Sequence, residues 1–329
     1  MKKPKVLIVS TGGTIASKIK EGTGYSPVRD IDDLLSEVTE IGRIAEIQSV
    51  QFCNILSFAL TPQMVIDVIK LVKERLQKED FDGAVIIQGT ATMEESSYLA
   101  DLLWDIEKPL VFTGAMLNAS ERDWDGGRNL FNSVMVAVNP EAMGKGVMVC
   151  MAGEIHAARD VMKIHKTSLS AFVSLNTGPL GIVNKNGVIF YRQPLKRRVF
   201  KTDRTADKVD IIKVALGADS RLLEASISSG SQGIVIEALP GGGGVTPSIF
   251  KTIKKARQDG VIFVMTPRSP IGSTVPVASG GCGPWDLKQC GVIMGGDLSS
   301  VKARILLMVA LPIAKGIDEL EAIFKEVAP

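Results

Sequence analysis

VIIQGTATMEESSYLADLL, Val85 to Leu103, is the stretch whose reading decides the fold. Val85, Ile86 and Ile87 form a short apolar run ending at Gly89, the pattern of a buried strand. Glu94 and Glu95 then suit the first turn of a helix, and an apolar pattern follows them. Gln88, Thr90, Ala91 and Thr92 fall at the junction. In open parallel sheets, ligands bind where strands end and helices begin. Three of these four residues are polar, and the fourth places a methyl group among them.

The same alternation extends outward. Val6–Val9, Leu110–Phe112 and Val147–Met151 also read as strands. Thr61-Pro62 starts a helix, with Thr at the N-cap and Pro at the first helical position. Met64, Val65, Val68, Ile69, Leu71 and Val72 recur at helical spacing, and Arg128–Val138 is a further apolar helix. From Tyr191 to Asp210 the composition turns basic, polar and aperiodic. In a near-neutral chain this reads as a solvated linker rather than a nucleic-acid arm. The alternation then resumes with strand Gly233–Ala238, helix Ser248–Gln258, strand Val261–Met265 and helix Ser300–Ala314. The pattern predicts an α/β protein of two doubly wound, mostly parallel-sheet domains: a larger one over 1–190, a linker over 191–210 and a smaller one over 211–329.

The bulk numbers narrow the function. The 329 residues are 45% hydrophobic and 22% charged with a net charge of +2, which favours neither nucleic acid nor an anionic membrane as partner. The apolar run Val6–Val9 is too short for a signal-peptide core, so a cytoplasmic protein is expected. No stretch reaches the roughly 18 apolar residues of a membrane span. Cys53, Cys150, Cys282 and Cys290 form no CxxC pair, and His156 and His165 are the only histidines. No metal and no cofactor is expected, and histidine-based nucleophile activation is thinly supplied.

Three segments could carry chemistry. In VSTGGTIAS, Val9 to Ser17, a strand runs into Thr11-Gly12-Gly13-Thr14. Paired glycines allow a tight turn with backbone N–H groups facing a ligand. A plain turn or a phosphate loop has the same outline, but neither GxxxxGK[ST] nor GxGxxG is present. A third use is Thr14 as nucleophile beside backbone donors forming an oxyanion hole. The opening stretch adds Thr90. EIHAARDVMKIHKTSLSAF, Glu154 to Phe172, adds Lys163, either a surface lysine or, in a dry site, a proton acceptor.

Together these segments resemble the L-asparaginase/glutaminase family. STGGTIAS and QGTATMEES match its two signatures. FTGAM with DGGRNLFNSV, the Lys163 segment and SSVKARILLMVAL resemble further blocks, in order, over nearly the whole chain. The resemblance implies hydrolysis of a carboxamide to carboxylate and ammonia through an acyl-enzyme, without metal or organic cofactor. It implies Thr14 as nucleophile, Tyr25 in the following loop EGTGYSPV closing over it, and Thr90 with Lys163 as the second part of the centre. Ser57, Phe58, Gln88, Gly89, Ala91 and Ala115 would line the substrate, Ala115 through its backbone carbonyl. It also implies a homodimer or homotetramer acting on a small amide, with the C-terminal domain contributing to the subunit interface.

Two departures bear on the substrate. Ala91 stands where the family has an aspartate that binds the substrate's α-ammonium and supports the Thr–Lys pair. Phe58 follows the retained Ser57 where the family has Gln or Ser, and Ser279–Leu287 shows no counterpart of an acid that some members supply from the partner subunit. An ammonium buried against Ala91 and Phe58 would lose hydration without a counter-charge, at several kcal/mol. The expectation is an amide lacking a free α-ammonium. The alternatives are an ordinary L-asparaginase compensated by Glu121, Arg122 or Asp123, and a catalytically weak ligand-binding protein. Gly241–Gly244 reads as a strand-to-helix turn, Asp125 as a helix N-cap, the two histidines as packing or hydrogen-bonding groups and Ile305–Ala314 as core or interface.

Overall fold

A computed structural model describes residues 2–20, 22, 24–195 and 197–328. The chain divides into two compact units, Met1–Lys201 and Thr202–Pro329.

The first unit holds strands β1 (Lys5–Gly12), β2 (Ser17–Lys20), β3 (Gly24–Pro27), β4 (Glu46–Ile55), β5 (Gly83–Ile87), β6 (Leu110–Thr113), β7 (Val147–Met151), β8 (Glu154–Ala157), β9 (Met162–Lys163), β10 (Phe172–Val173), β11 (Gly181–Asn184) and β12 (Gly187–Phe190). Its helices are α1 (Ile31–Glu37), α2 (Ile41–Ile44), α3 (Pro62–Lys78), α4 (Met93–Leu103) and α5 (Gly126–Ala137). Eight strands form one sheet in the order β12-β11-β8-β7-β6-β5-β1-β4. The run from β4 to β7 is parallel, because helices α3, α4 and α5 carry the chain back between successive strands. Val6, Ile8, Val85, Ile87 and Val111 face a core with Leu130 and Val134 of α5. Leu7, Val9, Ile86 and Phe112 are equally buried on the opposite face, where α3 packs on β1 and β5. Strand β5 is buried throughout, as its unbroken apolar run requires.

The far end of this sheet is antiparallel. Strands β7 and β8 are joined through Ala152 and Gly153, both at positive φ (50° and 82°). That backbone is the one a two-residue hairpin needs, and it reverses the chain where a helix would have kept it parallel.

The second unit holds β13 (Val209–Lys213), β14 (Gly233–Ala238), β15 (Ile262–Pro267) and β16 (Ile293–Met294), with α6 (Arg221–Ser228), α7 (Pro247–Gln258), α8 (Pro284–Gln289), α9 (Ser300–Ala310) and α10 (Ile317–Val327). Its four-stranded sheet is parallel, in the order β13-β14-β15-β16. Ile234, Ile236 and Phe263 pack with Leu223 of α6 and with Ile249 and Ile253 of α7. Helix α9 covers the other face so closely that a Cβ on Gly233 would lie 2.8 Å from Leu307. Each unit is therefore a mostly parallel sheet with helices on both faces.

The basic stretch expected as a solvated linker from residue 191 is anchored over its first half. Arg192 donates to Asp160 (3.1 Å), Thr177 (2.8 Å) and the Gly178 carbonyl (2.6 Å). Arg197 donates to Asp101 at 2.6 Å, and the buried Phe200 donates its N–H to the Leu102 carbonyl. These arginines neutralise buried carboxylates that lie far away in sequence, so charge and lack of period gave no sign of it.

Candidate active site

The site is built where β1 and β5 end side by side, in register at Ser10 and Ile87. Past that point the two chains touch through glycine. Gly12 and Gly13 adopt φ of 96° and 95°, and a Cβ on Gly13 would lie 2.4 Å from Gly89 Cα. A Cβ on Gly12 would lie 2.6 Å from Ile55 N at the end of β4. Both the backbone angle and the space exclude any other residue. The turn delivers Thr14 to the start of a short 3-10 turn, Thr14–Ala16. Buried Ile15 and Ala16 anchor it, and Ala16 N–H and Ser17 Oγ both donate to the Gly13 carbonyl (3.1 and 2.9 Å).

Gly89 rests in turn on Ser57, since a Cβ there would lie 2.8 Å from Ser57 Oγ. Ser57 is buried; its Oγ accepts the Ala91 N–H at 3.2 Å, and its carbonyl accepts the Thr92 hydroxyl at 3.1 Å. Gln88 is buried too, but its amide donates to Ser96 (2.9 Å) and reaches Thr92 (3.4 Å). It braces the first turn of α4.

Thr90 is buried, and its Oγ1 accepts a hydrogen bond from Lys163 Nζ at 2.8 Å. Lys163 lies on β9, half-buried, with its ammonium 5.9 Å from the Phe172 ring centroid. Burial pulls its pKa below the ordinary lysine value, and the charge of Glu94 partly opposes that. Glu94 also accepts the Lys163 backbone N–H at 2.8 Å. Ala115 is buried beside this pair: a Cβ on the adjoining Gly114 would lie 2.3 Å from the Gln88 carbonyl and 3.5 Å from Thr90 Cγ2.

Two family models match: "Asparaginase, N-terminal" over residues 5–196 and "Glutaminase/Asparaginase C-terminal domain" over 208–324. The chain is 34% identical to the "Probable L-asparaginase periplasmic" of Haemophilus influenzae, covering 98% of this chain and 93% of that one. It is 31% identical to the "Glutaminase-asparaginase" of Pseudomonas fluorescens biotype A, covering 98% and 90%. A crystal structure described as a probable cytoplasmic L-asparaginase from Campylobacter jejuni superposes with a TM-score of 0.89 at 31% identity, over 98% of this chain and all of that one. The chain belongs to the asparaginase family. It is an amidohydrolase of that family.

Against the residues that family membership brings into question, the structure is specific. Ala91 and Phe58 are both open to solvent in the chain, Phe58 at 73%. The expectation that they form buried apolar walls is therefore not met by the chain alone. Glu121, one of the expected compensating acids, accepts the N–H (3.1 Å) and side-chain amide (2.6 Å) of Asn118, while Arg122 and Asp123 are exposed. Tyr25 is exposed on β3, which pairs with β2 just after the Thr14 turn; Val28 and Arg29 N–H return that hairpin to Ala16 (3.1 Å each). Of its loop, Glu21 and Thr23 lie outside the described residues.

Asp125 stands at the start of α5 but caps no helical N–H with its side chain. Its carboxylate accepts the N–H groups of Met116 and Leu117 (3.1 and 3.0 Å) and the Asn129 amide (2.9 Å), which holds the chain after Ala115. His156 is buried with Nδ1 3.0 Å from Ser174, and His165 Nδ1 accepts two backbone N–H groups of its own turn. Burial pushes the Cys150 thiol up to about 12, which removes it as a nucleophile. Glu94 is the residue that sequence reasoning passed over. It read as a helix first-turn acid, although it stands one helical turn beyond Thr90 in the same signature.

Proposed function

We propose that this amidohydrolase cleaves a non-peptide carboxamide C–N bond through an acyl-enzyme on Thr14, and that its substrate lacks a free α-ammonium. The Thr14 hydroxyl would attack the amide carbonyl, with backbone N–H groups beside Thr14 stabilising the oxyanion. The Thr90–Lys163 pair would carry the nucleophile's proton to the departing amine, releasing ammonia. Water then opens the Thr14 ester, so that amide and water become carboxylate and ammonium. Tyr25 would close over the nucleophile, and the Ala115 carbonyl would orient the scissile amide. Ser57, Gly89 and Gln88 support the rim on which the substrate sits.

The observation that carries the substrate reading is the rim itself. Beside Thr90 stands a methyl group, Ala91, whose own N–H is bound by Ser57, the residue that precedes Phe58. A site without a counter-charge discriminates against a group that must be stripped of water. The test compares kcat/KM for L-asparagine, L-glutamine, succinamate-like amides and N-acyl amides, with Thr14→Ala as control. Turnover of L-asparagine above the others would sink the substrate reading. Loss of ammonia release in Thr14→Ala, together with a trapped acyl group on Thr14, supports the mechanism. Binding without ammonia release from any amide would mean a ligand-binding protein.

One observation favours ordinary L-asparaginase activity as a second reading. Phe58 and Ala91 are solvent-exposed, so an ammonium placed there keeps part of its water and its penalty falls. A homodimer or homotetramer, in which a second subunit covers this open rim, belongs to the same proposal. So does a cytoplasmic location, supported by the description of the Campylobacter protein. Among the described residues, no helix is long and apolar enough to cross a membrane.

A further inference from the structure

We infer that Glu94 is a positioning residue for Lys163, holding both the backbone and the charge of that lysine against Thr90. This rests on the reading of Thr90 and Lys163 as the pair that carries the proton.

Lys163 sits on a two-residue strand, β9, whose register partner is the equally short β10. So short a ribbon fixes little by itself. A long-range bond ties its backbone to the junction: Lys163 N–H to Glu94 Oε2 at 2.8 Å, across 69 residues of sequence. The same residue's amine then reaches Thr90 Oγ1 at 2.8 Å. Glu94 thus grips the main chain of the residue whose side chain grips Thr90. Thr90 and Glu94 flank the start of α4, so one rigid helix end presents both partners.

The charge argument is separate. The junction loop supplies no carboxylate, because residue 91 is alanine. Facing the Lys163 amine are the Thr90 hydroxyl from the junction, the Phe172 ring from β10 and the Glu94 carboxylate from α4. Burial depresses the amine's pKa and Glu94 opposes it. Glu94 in turn sits in the first turn of α4, where a negative charge is favoured.

The test uses the full chain and reads Lys163 directly. Trace acetic anhydride labelling across pH, followed by peptide mass spectrometry, gives the midpoint at which the Lys163 amine becomes reactive. Glu94→Gln keeps an acceptor for the Lys163 N–H and removes the charge. The expected midpoint lies about one pH unit lower than in the parent, with other lysines unmoved. For the best amide, the acid limb of the kcat/KM profile should move to lower pH with the midpoint, while KM stays within about two-fold. Ala91→Asp/Glu94→Gln should return the midpoint toward the parent value, since the added carboxylate stands beside Thr90. An unchanged midpoint and an unchanged acid limb in folded Glu94→Gln would overturn the inference. If Glu94→Gln fails to fold, Glu94→Asp takes its place: the charge is kept but drawn back, so kcat falls while the midpoint stays near the parent's, and a kcat equal to the parent's overturns the positioning role. If the parent releases no Thr14-dependent ammonia from any amide, the catalytic reading fails, and the labelling midpoint still decides the link between Glu94 and Lys163.

Discussion

Two polar clusters in the first unit are made from similar parts and do different work. Behind the sheet, Asp101 receives Arg197 Nε at 2.6 Å and the Val147 N–H at 2.9 Å, and Arg197 also donates to the carbonyls of Asp101 and Trp104 (3.0 Å each). Asp160 is held by Arg159, Thr177 and Arg192, the last from the same anchored stretch as Arg197, which straps the sheet. At the ends of the strands, Lys163 meets a neutral hydroxyl and is influenced by a carboxylate that binds its backbone. In the first cluster each buried charge faces an opposite charge in direct contact. In the second, the half-buried amine is left short of full compensation and so is readier to give up its proton. Burial also pushes the Asp101 carboxyl up despite Arg197, so the clusters differ in geometry: one charge is paired in direct contact, the other rests on a neutral hydroxyl.

Exchanging the roles of the two clusters tests that contrast. The largest expected effect lies at the site. Thr14→Ala should lower ammonia release by at least about 10⁴-fold while leaving the urea unfolding midpoint in place, since Thr14 is half-buried and its turn is anchored by Ile15 and Ala16. Arg197→Ala should do the reverse. It leaves Asp101 buried without its ion partner, at a cost of about 3–5 kcal/mol in equilibrium urea unfolding, with the kcat of the folded fraction little changed. If Arg197→Ala proves as stable as the parent, the strap carries no charge burden. Lys163→Met falls between: about 10²–10⁴-fold in kcat, with less than about 1 kcal/mol in stability.

The pH dependence follows from the sign of the Lys163 shift. Its folded-state pKa lies below the unfolded value, so between the two the unfolded chain binds more protons. The part of stability linked to Lys163 therefore rises with pH through that window and is smallest below the folded pKa. Activity that needs the neutral amine should lose its acid side below an ordinary lysine's pKa. A kcat/KM profile whose lower limb is untouched by Lys163→Met would remove this amine from the proton path.

How legible all this was depends on how local each feature is. The β5–α4 junction, the Gly12-Gly13 turn and the helices on both sheet faces follow from patterns within a few residues. The edge strand β4, EIQSVQFCNI, mixes polar and apolar residues because one side faces solvent, so it lacks the unbroken apolar run that marks β5. The antiparallel end turns on Ala152 adopting a positive φ, which alanine's chemistry does not announce. Arg192, Arg197 and Glu94 share a cause. Each meets its partner across 32, 96 and 69 residues respectively, and no local period records such a pairing. At the site, Thr90 and Lys163 came from resemblance and the geometry joins them, whereas Phe58 and Ala91, expected to be buried, stand exposed in the chain.

The smallest effect expected is the one that separates reaction from substrate. Ala91 is exposed, so Ala91→Asp introduces its carboxylate without a desolvation penalty and should fold as the parent does. If the missing counter-charge sets the preference, the variant's ratio of kcat/KM for amides with a free α-ammonium over N-acyl amides should rise about ten-fold, the scale of a partly solvated ion pair rather than a buried one. The change should appear mostly in KM, because the ammonium binds equally in ground and transition states. A ratio that stays fixed while kcat rises would show that residue 91 acts on the Thr90–Lys163 pair instead. That outcome would move the explanation of substrate choice from Ala91 to Phe58, whose ring stands exposed on the same rim.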